Sequence, residues 1–360
     1  MSKKWKTTLA NLFLQGFVLL NKKFQKTESF DSARDFKSIV IFSTTALGDL
    51  MFNTPAIRAI RQRYPEACIT LVSSEKNKVL VSDSPCFDKI IYWDEKVKDI
   101  LPLVSAMKEN KPELAIILHS KAPYDIVSSV MAGCKYIIKD VYGNRKTGME
   151  QWLVNPTVNF DGHLIQRKLN LLSMLGCATD NTDMFIPTRF SPIDKKPNVI
   201  SIGFQMGASE KIRCWPISRF VELAQQIAML GTEYEIVLIG SNKEKEHEDI
   251  FLRSIPEHLK SRVVSHIGKT DLKMLLAIIK NLDILVTGDT GPLHLAVALK
   301  TKTVSLFVTA NPKHTGPYQD HQLHEVLHVP LNNQNALNLE QPLSAISVDQ
   351  VLRNIKKLLA

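Results

Sequence analysis

From Ser38 onward, short runs of β-branched and other apolar residues alternate with longer stretches whose apolar positions recur every three or four residues. That alternation is the pattern of βαβ units, whose strands lie parallel and buried on both faces. In the first half, SIVIFS, CITLVS, KIIYW, ELAIILHS and KYIIK predict strands. TPAIRAIRQRY predicts a helix capped at Thr54 with Pro55 at its first position, and HLIQRKLNLLSMLG predicts one that stops at Gly176. A polar, proline-bearing stretch then breaks the periodicity, and the alternation resumes with VISIGFQ, YEIVLIG, RVVSHIG, LDILVTG and TVSLF. The fold class expected is α/β, two Rossmann-like domains with parallel sheets facing a central cleft. The expected boundaries are an N-terminal extension 1–36, a first domain 37–178, a linker 179–197, a second domain 198–345 and a C-terminal helix 346–360. For that last helix, packing back onto the first domain is left open.

The extension changes this picture. Trp5, Leu9, Leu12, Phe13, Phe17, Leu20 and Phe24 fall at helical spacing between lysines. The apolar centre, about a dozen residues, is shorter than the roughly 20 a spanning helix needs, and no small-residue cleavage site follows it. Two expectations stay open, a helix lying on an anionic membrane surface or one docked on the protein itself. The formal charge of +9 is uneven, since residues 1–36 hold seven Lys or Arg against three acids. The remainder is only mildly basic and lacks the aromatic-interleaved basic stripe of a nucleic-acid surface. Five scattered cysteines form no C-x-x-C pair, which argues against a zinc site or a disulfide framework and suits a reducing compartment. Neither G-x-x-x-x-G-K-[ST] nor a G-x-G-x-x-G after the first strand occurs.

Candidate chemistry gathers at three strand-to-helix corners, where open parallel sheets bind ligands. In FSTTALGDLMFNTPAIR, Gly48 is expected to turn the backbone and leave the Asp49 carboxylate over the strand ends. In FQMGASEKIRCWP, Lys211 and Arg213 precede the helix and suit a diphosphate. Trp215 reads as a packing anchor. In VTGDTGPLHLAVAL, Thr290 and Gly291 would present a hydroxyl and bare backbone to an anion at a helix start. Asp289 there is expected to accept hydrogen bonds from the loop or from a ligand hydroxyl, and His294 lies one turn into the helix.

Together these motifs resemble the ADP-heptose lipopolysaccharide heptosyltransferases, glycosyltransferase family 9. The resemblance rests on Gly48-Asp49 followed by TPAIR, on GAS followed by IRCWP, and on DTGPLHLA, in that order from about Ser38 to the C-terminus. It implies a GT-B architecture, with acceptor bound by the first domain and nucleotide sugar by the second. The reaction it implies is inverting, metal-independent transfer of heptose from ADP-heptose to a Kdo or heptose of the lipopolysaccharide inner core. No cofactor beyond the donor substrate is implied. Asp49 takes the role of general base. Lys211, Arg213, Glu244, Asp289, Thr290, Gly291 and His294 become donor-side residues, and Gly48, His119, Lys121 and Arg145 acceptor-side ones. Arg213 stands where the family has lysine, and FVTANP replaces the frequent Gly-Pro-Thr. The implied partners are the nucleotide sugar and a lipid A-linked core acceptor, and the implied address is the inner face of the cytoplasmic membrane, peripherally bound. Two rivals stay open, another nucleotide-sugar transferase or epimerase of GT-B fold, and a noncatalytic nucleotide-binding membrane scaffold.

Overall fold

The computed structural model describes residues 4–21, 30–141, 148–331 and 340–360. The chain divides into two compact units, Met1–Thr188 and Arg189–Ala360.

The N-terminal unit runs α1 (Lys4–Asn21), β1 (Ser38–Ser43), α2 (Leu47–Arg63), β2 (Cys68–Ser73), α3 (Lys78–Val81), β3 (Lys89–Tyr92), α4 (Ile100–Lys108), β4 (Leu114–His119), α5 (Tyr124–Ala132), β5 (Tyr136–Lys139) and α6 (Leu164–Leu172). Its five strands pair in parallel in the order β3-β2-β1-β4-β5. β1 is buried along its whole length, which is why its sequence is a continuous rather than alternating apolar run. Gly176 ends the α6 region at φ 71°, a left-handed stop that glycine adopts without penalty.

The C-terminal unit runs β6 (Ile200–Gln205), α7 (Ile217–Ala228), β7 (Tyr234–Ile239), α8 (Lys245–Ser254), α9 (Glu257–Lys260), β8 (Val263–Ser265), α10 (Leu272–Asn281), β9 (Ile284–Gly288), α11 (Gly291–Ala298), β10 (Lys302–Phe307), α12 (Pro312–Thr315), β11 (His324–His328) and α13 (Val348–Leu359). Its six parallel strands order as β11-β10-β9-β6-β7-β8. The edge strand β11, HEVLH, has no counterpart in the sequence reading, because its half-exposed, charged pattern carries no apolar run. Asp271 caps α10 by accepting from Met274 N, and Ser347 closes a capping box with Gln350 at α13. Val348, Val351, Ile355 and Leu358 of α13 all belong to this unit's core. The pattern alone had left that packing open.

Among the described residues no helix is long and apolar enough to cross a membrane. α1 docks on its own unit: Leu14 is fully buried, and Ala10, Phe17 and Val18 pack beside it.

Candidate active site

In the N-terminal sheet the strand order reverses between β1 and β4, the switch point where ligands bind beyond the carboxyl ends of strands. Their register slips between Phe42 and Ser43, so that Ser43 faces His119 and Leu118 is an extra residue in β4. Such a bulge re-aims the side chain that follows it. α2 starts at Leu47 and carries Asp49 in its first turn, where the helix dipole favours a carboxylate. The expected start at Thr54 is thereby corrected. Pro55 lies inside α2 and has no N–H for the Met51 carbonyl one turn back; the Thr54 hydroxyl donates to that carbonyl instead, at 2.8 Å. Gly48 is likewise corrected, since it sits in the helical first turn rather than in a tight loop.

Asp49 Oδ1 lies 3.4 Å from His119 Nδ1, with 29% of the Asp49 side chain exposed. The imidazole Nδ1 is buried without a formed hydrogen bond, so the contact is close but not aligned. Behind the ring lies a buried ion cluster. Lys168 Nζ, on α6, donates to the Leu118 carbonyl at 2.6 Å and to Asp140 Oδ2 at 2.9 Å. Arg167 Nη2 reaches the same Asp140 oxygen at 2.8 Å.

Burial alone would push Asp140 up, but Lys168 and Arg167 together outweigh it and hold the carboxyl below its ordinary value. Lys168 is pushed down by burial, and one carboxylate shared with Arg167 does not restore it. Burial, and after it the Lys168 cation, push His119 down as well, against the weaker pull of Asp49. His119 is therefore neutral at pH 7 beside the carboxylate.

Glu95, just past β3, fixes the loops on either side of this pair. It accepts from Thr44 Oγ1 at 2.7 Å and from Lys121 N at 2.9 Å, and its other oxygen lies 3.3 Å from Lys121 Nζ. Burial resists its ionisation, but the hydrogen bonds from Thr44 and Lys121 prevail and hold it below its ordinary value. Lys121, expected to meet acceptor, is thus exposed and paired with Glu95. Arg145 lies outside the described residues.

The C-terminal sheet has its own switch point, between β6 and β9. Gln205, at the end of β6, is the hub. Its Oε1 accepts from Thr287 Oγ1 at 3.0 Å and from Thr290 Oγ1 at 3.2 Å, and its Nε2 donates to the Gly207 carbonyl. Thr290 is the N-cap residue of α11 and Gly291 its first helical position; Pro292 has no N–H and Leu293 N donates to the Thr290 carbonyl at 3.1 Å, so the Gly291 N–H is the first-turn donor that this helix start offers to the loop. The Thr290 hydroxyl, expected to face an anion, is bonded to Gln205 and Thr287.

Arg213 is likewise engaged within the loop. Rather than standing free for a diphosphate, its Nη2 donates to the Asp289 main-chain carbonyl and to Asp289 Oδ2, the latter at 3.0 Å, while Nη1 reaches Ser209 Oγ at 3.3 Å. This pairing neutralises the acid next to a phosphate-type helix start. His294 Nε2 lies 3.6 Å from the other Asp289 oxygen, with its side chain buried. Lys211 is exposed two residues from Arg213 and has no ion-pair partner among the described residues. Glu244 closes a capping box, accepting from Ser241 N at 2.6 Å and Ser241 Oγ at 2.7 Å, and it packs against Gly207 at the end of β6. Trp215 is a packing anchor whose Nε1 donates to the Ile346 carbonyl at 3.1 Å.

Sequence reasoning singled out Asp49 and the 289–291 loop but not the residues that surround them in the structure, Glu95, Asp140, Arg167, Lys168, Gln205 and Thr287. One signal was present: Lys168 sits on the apolar stripe of α6 with Ile165, Leu169 and Leu172, where a lysine is buried only when paired. Among the described residues, no group of three or more His, Cys, Asp or Glu is placed to hold a metal ion.

Comparison with known proteins gives a consistent picture. The profile of glycosyltransferase family 9 (heptosyltransferase) matches residues 154–344. The lipopolysaccharide core heptosyltransferase OpsX of Haemophilus influenzae is 24% identical over 298 residues, 79% of this chain and 82% of that protein. Lipopolysaccharide heptosyltransferase 3 of Escherichia coli K12 is 22% identical over 277 residues, 72% of this chain and 79% of that protein. Among solved structures, the glycosyl transferase family 9 protein of Veillonella parvula superposes with a TM-score of 0.74 at 22% identity, covering 91% of this chain and 99% of that one. Escherichia coli ADP-heptose heptosyltransferase II gives 0.71 at 21% identity, covering 89% and 98%. These likenesses establish the GT-B fold class.

Proposed function

The chain belongs to glycosyltransferase family 9, the heptosyltransferases, and from that premise we propose that it moves heptose from ADP-heptose to a Kdo or heptose of the lipopolysaccharide inner core. The relatives are named for lipopolysaccharide heptosyl transfer, which supports this acceptor class. Transfer proceeds with inversion in one displacement. Asp49 accepts the proton of the acceptor hydroxyl, the oxygen forms a bond to the anomeric carbon, and the bond from that carbon to the ADP phosphate breaks with its electron pair on ADP. The observation that carries the proposal is the part-exposed Asp49 carboxylate, presented at the N-terminal sheet's switch point beside a neutral His119.

Neutral His119 matters because an imidazolium 3.4 Å away would hold Asp49 in a tight ion pair and weaken it as a base. On the donor side, the Gly291 N–H with the α11 dipole and Lys211 take up the charge that grows on the leaving diphosphate, so no metal is needed in this proposal. Arg213 serves by pinning Asp289 and so shaping the loop. The acceptor would be lipid A-linked and met at the cytoplasmic face of the inner membrane.

The test is Asp49→Asn, assayed with chelator present throughout. The wild type should retain turnover with product of inverted configuration, and the variant should lose about 10²- to 10⁴-fold in kcat, the usual share of a general base, with ADP affinity unchanged. Turnover near that of the wild type in the variant removes Asp49 from the mechanism.

A further inference from the structure

α1 is apolar on two opposite faces, and among the described residues one of them is packed against the protein and the other is not. On the used face Leu14 is fully buried in the core that includes Val130, Met149 and Trp152, and Ala10, Phe17 and Val18 pack beside it. The polar groups of that face are satisfied too. Asn11 Nδ2 donates to the Gly148 carbonyl at 2.7 Å, and Asn11 Oδ1 accepts from Trp152 Nε1 at 2.7 Å and Gln151 Nε2 at 2.9 Å. The helix is therefore fixed to the N-terminal unit.

The other face is open. Trp5 is 46% exposed, Leu9 54%, Leu12 60%, Phe13 48% and Leu20 86%. At about 100° per residue these positions fall in an arc about 100° wide, nearly opposite the docked stripe. Monomeric proteins rarely leave so many large apolar side chains contiguous without a partner.

Charge identifies that partner. α1 contains no acidic residue, Lys6 lies beside Trp5, and residues 1–27 hold six lysines and no acid. At the C-terminal end of the helix, on its docked side, Phe17 and Val18 line a cavity of about 490 Å³ whose charged groups are Lys108, Lys111 and Lys135 against one acid, Glu113, itself paired with Arg34. An apolar ridge flanked by ammonium groups matches a lipid headgroup layer of negative charge. A second copy of the same ridge would set lysines against lysines.

We propose that α1 is an in-plane anchor, docked on the N-terminal unit through Ala10, Leu14 and Phe17 and laid on an anionic bilayer through Trp5, Leu9, Leu12, Phe13 and Leu20. The anchor deepens the heptosyl-transfer reading by fixing the unit that carries Asp49 to the surface where a lipid-linked acceptor resides. The test separates the two ideas. Full-length protein is sedimented with phosphatidylcholine vesicles, with and without phosphatidylglycerol, and its turnover is measured separately on a water-soluble, lipid-free acceptor.

The wild type should bind anionic vesicles at least tenfold more tightly than neutral ones. The triple variant L9Q/L12Q/L20Q should lose at least tenfold of that binding while keeping soluble-acceptor turnover, because none of the three residues packs in the core. Equal binding by variant and wild type, no preference for anionic lipid, or a dimer that the variant converts to monomer would each overturn the anchor. Loss of soluble-acceptor turnover in the variant would also overturn it, by assigning the face a structural role. Failure of the transfer reading looks different: no turnover with ADP-heptose in either protein, with the vesicle result intact.

Discussion

Removing Asp140 exposes how the N-terminal site is held. Asp140 is 7% exposed and accepts from Lys168 at 2.9 Å and from Arg167 at 2.8 Å, and the Lys168 side chain is 1% exposed. Asp140→Ala leaves two buried cations without their shared carboxylate, and breaking a buried pair in this way costs about 3–5 kcal/mol. Lys168 can limit the damage by losing its proton. At pH 7 that costs about 4.6 kcal/mol from an ordinary lysine value, so the total is bounded in the same range.

Lys168→Met is the informative control. It leaves Asp140 paired with Arg167 and removes the ammonium that burial disfavours, which offsets part of the loss of two hydrogen bonds, to the Leu118 carbonyl and to Asp140, for a net cost of about 1–2 kcal/mol. Urea unfolding followed by tryptophan fluorescence reads both, since Trp5, Trp93 and Trp152 all lie in this unit. With a urea slope of about 2 kcal/mol per M, Asp140→Ala should lower the midpoint by about 2 M and Lys168→Met by less than about 1 M.

The pH dependence has a definite sign. In Asp140→Ala the buried lysine, deprived of the carboxylate that favours its charge, should hold its proton less tightly than the unfolded one does, so folding gains stability as pH rises. Wherever Asp140 keeps the wild-type lysine charged, the deficit should shrink between pH 7 and 9 by up to about 1.4 kcal/mol per pH unit. A larger midpoint loss in Lys168→Met than in Asp140→Ala, or a deficit that grows with pH, would refute the account of the cluster.

Two further predictions concern the site directly. Because the Lys168 cation helps push His119 down, Lys168→Met should raise the His119 pKa toward the ordinary histidine value in an NMR titration; an unchanged value would detach His119 from the cluster. On the donor side, Arg213→Lys cannot reproduce the guanidinium fork that sends Nη2 to Asp289 and Nη1 to Ser209, and Lys211→Ala removes an exposed cation. Each should weaken ADP binding about tenfold by calorimetry, roughly 1.4 kcal/mol, and only the Lys211 loss should fade at high salt because only that charge is exposed. Unchanged ADP affinity in Arg213→Lys would separate the Asp289 pin from the donor loop.

The sequence by itself determined the layers of both units. Continuous apolar runs such as SIVIFS and TVSLF, β-branched and set between helical patterns, read as strands buried on two faces, and Gly176 marks a helix end through local backbone chemistry. It also singled out the carboxylate of Asp49 and the Asp289-Thr290-Gly291 loop, because strand-to-helix corners are local features. Only the tertiary structure decided which charges meet. Arg213 and Asp289 are far apart in the chain, as are Lys168 and Leu118; the first pair meets because strand order places the ends of β6 and β9 side by side, the second because α6 brings the Lys168 ammonium to the end of β4. The same holds for α2, which begins before Thr54 because a hydroxyl takes the carbonyl contact that Pro55 cannot make, and for α1, whose two apolar faces look alike in sequence until one is buried. Periodicity records which positions are apolar, but long-range pairing of polar groups depends on which neighbours the sheet supplies.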